Sequence, residues 1–457
     1  MVLKDILANL AGARVLVIGA GLSGREAALF LAAKGAKTTL TDSKSADRLE
    51  GLDELSAAGV KLCLGGDPES VEDFVLAVIS PGVPLTIPLV GRLNEANVPL
   101  IGELELAYQF SHNRFLAITG TNGKTTTTSL LEHIMCKAER VNLVGGNIGA
   151  ALVNSVEALP PEAVIVAELS SFQLETAVDY RSHVGAFLNL TPDHLYRHGT
   201  MQVYGDTKAK IFAHQTKDDF AVLNFDDELV RAYAADLPGT VVFFSRKAEV
   251  EQGMFVRGGQ IIWRFDGVEQ EVMPAAEIMI KGPHNLENAL AAAAMAALDG
   301  VDLPVIRAAL ADFAGVEHRQ EPVGEFGGVL YVNDSKGTNP DSTVMALLAC
   351  ERPTVLILGG YSKGSDFRPL LPLIAEKVKH IVLVGETSDV IAKTLDEAGF
   401  TAYQHAGMDF AECVRLAVAA AKPGDEVLLS PACASWDMFK SFEERGEVFK
   451  RLVSELA

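Results

Sequence analysis

Short apolar runs of strand length recur along this chain. Each is followed by a glycine-bearing polar turn and then by a stretch with helical spacing. The first block opens with an apolar run at 15–18, then Gly19-Ala20-Gly21-Leu22-Ser23-Gly24, a helical stretch to Ala33, and a second run at 38–41 that ends on Asp42. Strand, glycine turn, helix, strand is a βαβ unit. A further strand at 74–79 runs into Ser80-Pro81-Gly82, and Pro84, Pro88 and Pro99 make the next stretch turn-rich. The first domain is expected to cover 1–101.

The second block restarts the pattern. A strand at 115–119 leads into Gly120-Thr121-Asn122-Gly123-Lys124-Thr125-Thr126 and a helix to about Cys136, with further strands at 163–167, just before Glu168, and at 186–190. The texture then changes. Runs at 254–257, 260–265 and 268–272 are joined by Gly258-Gly259 and Asp266-Gly267, two-residue hairpin signals that predict a small antiparallel meander. The alanine-rich stretch after Asn285 predicts a buried helix. This block is expected to cover 102–315. In the third, 316–457, strands at 329–332, 355–358, 381–384 and 427–429 alternate with helical segments. Three such blocks predict an α/β chain of three domains.

Composition narrows the function classes. The 457 residues are 49% hydrophobic and 22% charged, enough to build sizeable cores and too apolar for a disordered chain. A net charge of −21 argues against a general nucleic-acid binder, whose partner demands a positive surface, but leaves room for small anions held by local donors. Cys63, Cys136, Cys350, Cys413 and Cys433 are scattered and odd in number, which reads as reduced thiols. The alanine-rich run at 289–298 is too short to span a bilayer, which takes about 20 residues. Residues 1–10 lack the basic start and cleavage site of a signal peptide. The expectation is a soluble cytoplasmic protein.

The sharpest local chemistry is the Gly120–Thr126 turn between strand and helix. Backbone N–H groups there converge on phosphate oxygens, Lys124 adds charge, and a threonine hydroxyl can reach Mg²⁺. It departs from the standard phosphate-loop pattern, which wants glycine where Ile118 stands. Gly19-x-Gly21-x-x-Gly24 with Asp42 fits a dinucleotide fingerprint, yet a nucleotide sugar uses the same diphosphate physics. Glu168, at a strand end, is placed as an acidic metal partner or as a helix-start acid. The segment from Asn189 to Thr200 is dense in ligand types, His194 among them, with Lys208 downstream. Lys210 reads as a solvated residue. Of Asn285 and Asn288, one is expected to cap the helix and the other to read a base edge. Arg319 suits a phosphate. Polar loops at Asp334-Ser335-Lys336, 359–364 and 430–435 all follow strands of the third block, the edge where open α/β sheets bind ligands.

Taken together, Thr119 to Thr126, Glu168-Leu-Ser-Ser-Phe-Gln, Asn189-Leu-Thr-Pro-Asp-His-Leu, His284-Asn-x-x-Asn288 and His318-Arg319 resemble the motifs of the Mur ligases, the ATP-dependent amide ligases of peptidoglycan precursor synthesis. Asn333 to Asn339 and Leu429 to Phe442 resemble the member that adds D-glutamate to UDP-N-acetylmuramoyl-L-alanine. The resemblance spans all three domains. It implies a Rossmann-like N-terminal domain for the uridine nucleotide, a P-loop-type central ATPase domain and a Rossmann-like C-terminal domain for D-glutamate.

The resemblance also implies roles. Gly120, Thr121, Asn122, Gly123, Lys124, Thr125 and Thr126 would cradle ATP, with Asn288, Arg319 and Asp334 as further ATP contacts. Thr125 and Glu168 would hold one Mg²⁺, and His194 with a carbamylated Lys208 a second; Lys124, His194 and Lys208 are the expected catalytic residues. Leu22, Ser23, Gly24, Ser43 and Asn147 would hold the UDP-substrate. Lys336, Thr338, Lys363, Ser435 and Phe442 would form the D-glutamate pocket, two cations for two carboxylates. The enzyme would act as a monomer, without nucleic acid or membrane insertion. Tyr196 departs from the family, which often has aspartate there, and bears on the surroundings of His194.

Three other readings compete: a Mur ligase for another amino acid, an NAD-dependent oxidoreductase built on Gly19 to Gly24, and a non-catalytic nucleotide-binding module. The second leaves the Gly120 loop, Glu168 and the histidine segment unexplained. The third makes Lys208 and Lys363 accidental.

Overall fold

The computed structural model of the protein describes residues 3–49, 51–149, 151–361 and 364–456. The chain divides into two compact units: one runs to Glu277 and takes in Glu287–Leu310, the other comprises Ile278–Leu286 and everything from Ala311 onward.

The first unit carries two sheets. In the N-terminal one, β1 (Arg14–Ile18), β2 (Lys37–Asp42), β3 (Lys61–Leu64), β4 (Leu76–Ile79) and β5 (Leu100–Gly102) are all parallel and lie in the order β3-β2-β1-β4-β5. Val15, Leu16 and Val17 have helices or loops over both faces of the sheet and are fully buried, which is why this strand reads as a continuous apolar run. The chain turns away from β1 in opposite directions toward β2 and β4, so a crevice opens at the carboxyl end of β1. Among the prolines after β4, Pro88 starts a helix, Pro88–Glu95, where its missing N–H costs nothing.

The central sheet has nine strands: β6 (Arg114–Thr119), β7 (Asn142–Gly146), β8 (Val164–Glu168), β9 (Val184–Phe187), β10 (Phe220–Asn224), β11 (Thr240–Ser245), β12 (Gly253–Arg257), β13 (Gln260–Phe265) and β14 (Val268–Pro274). Their order is β14-β13-β12-β11-β10-β9-β6-β8-β7, parallel from β7 to β12 and antiparallel beyond. The expected meander is therefore an extension of the main sheet. β9 ends at Phe187, short of the 190 that apolarity suggested, because Asn189 leaves the ladder and bonds to a neighbouring loop.

In the second unit β15 (Glu321–Phe326), β16 (Val329–Asn333), β17 (Thr354–Leu358), β18 (Val378–Leu383), β19 (Tyr403–His405) and β20 (Glu426–Leu429) lie in the order β15-β16-β20-β17-β18-β19, all parallel except β15. Three parallel neighbours, β16, β20 and β17, thus end side by side. Among the described residues no helix is long and apolar enough to cross a membrane.

Two buried glutamates on the helix Glu103–Phe110 fasten it to the central part of the first unit. Glu105 Oε2 accepts from the backbone N–H groups of Val178, Asp179 and Tyr180 at 2.8, 3.1 and 3.0 Å. Glu103 Oε1 accepts from Val153 N at 2.9 Å, at the start of the one-turn helix Leu152–Asn154. Burial raises the Glu103 carboxyl from its ordinary 4.5 to about 7, against the opposing pull of that hydrogen bond.

A raised carboxyl favours the native state while it is protonated. That advantage is complete below pH 4.5 and is lost as the pH climbs through about 7. The span corresponds to roughly 3 kcal/mol. Glu103→Gln, which keeps the acceptor and cannot ionise, is expected to match the parent at pH 4.5 and to exceed it in stability at pH 8. Denaturant titration with Trp263 as the fluorescent reporter, in a Trp436→Phe background, measures the difference.

Candidate active site

The nucleotide-type loop sits where β6 gives way to the helix Lys124–Lys137. Gly123 adopts φ +84°, and a Cβ there would lie 2.2 Å from Asn288 Oδ1, so only glycine permits this approach. Asn288, in the helix Pro283–Leu298, also accepts from Thr127 Oγ1 at 3.3 Å. The first turn of the Lys124 helix carries Thr125 and Thr126, both buried, and the Thr126 hydroxyl finds no hydrogen-bond partner among the described residues. Lys124 Nζ folds back over the loop, donating to Gly120 O at 2.9 Å and Thr121 O at 2.8 Å.

Beside β6, β8 delivers Glu168 as its last residue. One oxygen, Oε1, accepts from Asn147 Nδ2 at 2.7 Å, and Asn147 N donates to Glu168 O at 2.8 Å. The other, Oε2, is buried with no hydrogen-bond partner among the described residues. An orphaned buried carboxylate oxygen is costly unless a cation faces it. With threonine hydroxyls at the adjacent helix start, the donors are hard oxygens of the kind Mg²⁺ takes. These residues fit that ion.

Lys208, on the helix Met201–Ala209, is only 1% exposed. Its Nζ donates to Gly120 O at 2.8 Å and stands 4.6 Å from the centre of the Tyr204 ring. Burial, and then the nearby charge of Lys124, hold the Lys208 amine well below its ordinary pKa. His194 adopts a left-handed backbone (φ +53°) just before the short helix Leu195–His198. Its Nε2 lies 3.5 Å from Asp193 Oδ2 and its ring packs on Phe172 at 4.8 Å. Tyr196 is exposed, with its hydroxyl 3.4 Å from His194 Nδ1. Lys210 donates to Glu175 O at the surface.

At the crevice beyond β1 lies a cavity of about 710 Å³, lined by Leu22, Ser23 and Ser43 together with Gly19, Asp42, Ser80 and Pro81. Gly24 lies beneath it: a Cβ there would sit 1.9 Å from Gly19 O, so this glycine serves the close packing of helix on turn. Asp42 accepts from Ala20 N at 2.8 Å and Lys44 N at 2.9 Å. Its carboxylate thus fastens the turn. Asn147 lies with Glu168 and away from this cavity lining.

In the second unit the three adjacent strand ends gather the remaining candidates. Asp334, buried, accepts from Ser430 Oγ at 2.7 Å and Gln320 N at 3.2 Å, and burial lifts its carboxyl to about 6 despite the Ser430 bond. Lys336 Nζ stands 5.3 Å from the centre of the Phe442 ring, and Thr338 N donates to Lys336 O at 2.9 Å. Ser435 is buried in the loop after β20. Arg319 lies between His318 and Gln320, both with positive φ, and lines a cavity of about 290 Å³ with Lys281 and Asn285. Asn285 donates to Lys281 O at 2.8 Å, bracing the start of its helix. Lys363 lies outside the described residues.

Arg445 escaped sequence reasoning. It is buried in the helix Phe442–Ser454 and holds two strand-end loops together, donating from Nε to Ser335 Oγ (2.9 Å), from Nη2 to Ser335 O (2.7 Å) and from both Nη atoms to Cys433 O (3.2 Å). The signal was present: Arg445 falls on the same helical stripe as Gly446, Phe449 and Val453, where a core residue belongs.

Known proteins match along the whole chain. The family model described as Mur ligase MurD-like, N-terminal domain, matches residues 13–102; Mur ligase middle domain matches 118–296; and Mur ligase, glutamate ligase domain, matches 318–433. UDP-N-acetylmuramoylalanine--D-glutamate ligase of Pelotomaculum thermopropionicum is 50% identical, over 97% of this chain and 98% of its own length. The enzyme of the same name from Clostridioides difficile is 45% identical over 98% and 100%. Among solved structures, MurF of Acinetobacter baumannii shares the fold with a TM-score of 0.60 at 18% identity, covering 98% of this chain and 91% of that one. The MurC ligase of Thermotoga maritima gives 0.59 at 18%, covering 97% and 100%.

Arg445→Met would leave the Ser335 and Cys433 carbonyls without their donor. The expected loss is about 2–4 kcal/mol of stability in the second unit, from the bonds lost at three acceptor atoms, the Ser335 hydroxyl and the two carbonyls. Unfolding followed by Trp436 in a Trp263→Phe background reads that loss; in a Trp436→Phe background the transition reported by Trp263 should not move.

Proposed function

This chain belongs to the Mur ligase family, and on that footing we propose that it joins D-glutamate to UDP-N-acetylmuramoyl-L-alanine, consuming ATP and releasing ADP and phosphate, in peptidoglycan precursor synthesis. The choice of amino acid is supported by the full-length relatives that bear this activity in their names. The chemistry is supported above all by one observation: a buried Lys208, its amine held well below the ordinary lysine pKa, donating to the same Gly120 carbonyl as Lys124.

The reaction needs an activated carboxylate. A free carboxylate repels nucleophiles and offers no leaving group, so ATP first converts it to an acyl phosphate; the amine then attacks, and the tetrahedral intermediate expels phosphate. Residues 1–101 hold the uridine nucleotide in the 710 Å³ cavity through Leu22, Ser23 and Ser43, with Gly24 shaping the turn beneath. In 102–315, the helix start at Lys124 presents N–H groups and positive field to the phosphates, and Lys124 swings from the loop carbonyls to the transferring group. Asn288 meets the nucleotide from beside Gly123. Asn147 holds Glu168 Oε1, which leaves the buried Oε2 for the ion. In 316–457, Lys336, Thr338, Ser435 and Phe442 take the amino acid together with Lys363, and Arg319 and Asp334 contact ATP.

Thr125 and Glu168 would hold one Mg²⁺, and His194 with carbamylated Lys208 a second. When bound, such ions offset charge building on the phosphoryl and acyl oxygens. A protonated Lys208 would have the wrong sign for that task. Its neutral amine adds to carbon dioxide: an N–C bond forms, one C=O becomes C–O⁻, and a proton leaves the nitrogen. The burial that lowers the Lys208 pKa keeps that lone pair available. Tyr196 brings a phenol hydroxyl to 3.4 Å from His194 Nδ1, beside the Asp193 carboxylate on the other ring nitrogen. The enzyme works as a monomer in the cytoplasm on freely diffusing substrates.

Two measurements check this reading. With ATP, Mg²⁺ and UDP-N-acetylmuramoyl-L-alanine, phosphate release should require D-glutamate and should not appear with L-glutamate, L-alanine or diaminopimelate; turnover with another amino acid would overturn the pocket assignment. With ¹³C-bicarbonate, the protein should show a carbamate carbon resonance that Lys208→Ala lacks, and that variant should lose activity by about 10³-fold or more, the scale of removing a group that stabilises transition-state charge. A fully active enzyme without the resonance would refute the carbamate.

A further inference from the structure

The nucleotide loop is already held in shape by protein groups. Asn189 Oδ1 accepts from Asn122 N at 2.8 Å, and Asn189 Nδ2 donates to Asn122 O at 3.0 Å. Thr121 N donates to Asn189 O at 3.0 Å. The Thr121 hydroxyl accepts from Thr191 N at 3.0 Å and donates to Thr191 O at 3.1 Å. Five hydrogen bonds thus join two adjacent residues of the loop to the segment that follows β9. That segment is itself fixed. Asn224 Nδ2 donates to Leu188 O at 2.9 Å, and Leu190 N donates to Asp227 Oδ2 at 2.9 Å. Both anchors come from the end of β10 and the turn after it, a rigid part of the sheet.

The arrangement has a consequence for recognition. The N–H groups of Thr121 and Asn122 are both committed to Asn189, so they are turned away from any phosphate. Main-chain recognition of phosphate then falls to the helix start, which begins at Lys124. His194 lies three residues beyond Thr191 on the same segment, so the clamp also links the nucleotide loop to a proposed metal ligand.

We propose that Asn189 is a positioning residue, which acts with Thr121 and Thr191 to hold the nucleotide loop in its phosphate-accepting shape and to fix its register against the His194 segment. The inference rests on the ligase reading for the identity of the substrates, but the clamp itself is a statement about nucleotide affinity. Asn189→Ala should raise KM for ATP about tenfold, the effect of losing a well-aligned hydrogen-bonded pair. It should also raise the Mg²⁺ concentration needed for half-maximal rate, and leave KM for D-glutamate and for the UDP-substrate within about twofold. A merely structural role would lower the melting temperature and kcat without separating the three KM values. Thr121→Val removes the hydroxyl at constant shape and should weaken ATP in the same way, while Thr121→Ser restores the parent value. Direct titration with ADP reads the same loss without turnover. A parent protein that binds ADP but makes no product with D-glutamate would overturn the substrate assignment and leave the clamp standing. Asn189→Ala and Thr121→Val with parental ADP affinity, or three KM values rising together, would overturn the clamp. Should Asn189→Ala fail to fold, the Thr121 pair decides.

Discussion

Two lysine amines converge on the single carbonyl oxygen of Gly120, and most of the central domain's chemistry follows from that crowding. Lys124 reaches it at 2.9 Å from the helix it begins, and Lys208 at 2.8 Å from a separate helix. Two ammonium groups so close repel each other, and one of them is sealed from water. The physical resolution is that the buried amine holds its proton far less tightly than an ordinary lysine. This readily deprotonated amine stands beside a phosphate-type loop, with Glu168 close enough for its charge to be felt there. Each partner constrains the others: the loop must expose its Gly120 carbonyl, the Met201–Ala209 helix must bury its lysine, and Glu168 must keep one oxygen clear.

The buried carboxylates show how one side chain type serves different ends. Glu105 is saturated by three backbone donors and is structural. Glu168 is half satisfied by Asn147, and its second oxygen has no hydrogen-bond partner among the described residues, as the proposed Mg²⁺ ligand requires. Asp334 sits between Ser430 and Gln320, with its carboxyl raised to about 6 by burial. Burial is common to all three; the number of donors that reach each carboxylate separates them.

The strands were legible because continuous apolar runs of five residues buried on both sides leave little alternative. Their ends were less so. β9 looked longer than it is, since Leu188 and Leu190 are apolar yet belong to a loop whose shape is set by the side chain of Asn189. Asn285 and Asn288 could be divided only in part from sequence: one was expected to brace the helix, but which one depends on the approach of Gly123 to the second. Gly24 carried the right spacing for a nucleotide fingerprint and turns out to pack under the turn, where Leu22, Ser23 and Ser43 face the cavity. Arg445 was passed over because a charged residue in a helix usually faces water. Its place on the apolar stripe was the contrary sign, and what it bonds is set partly by a loop 110 residues earlier in the chain.

The clamp on Thr121 and Asn122 also shifts the moment at which disorder is lost. A flexible phosphate loop must be frozen by its ligand, at about 1–2 kcal/mol of backbone entropy per residue fixed. Here that entropy is surrendered when the chain folds, under the cooperative stabilisation of a nine-stranded sheet. Nucleotide arriving at this loop meets a surface already ordered, so contacts made to the phosphates translate into affinity with little subtracted for ordering the protein.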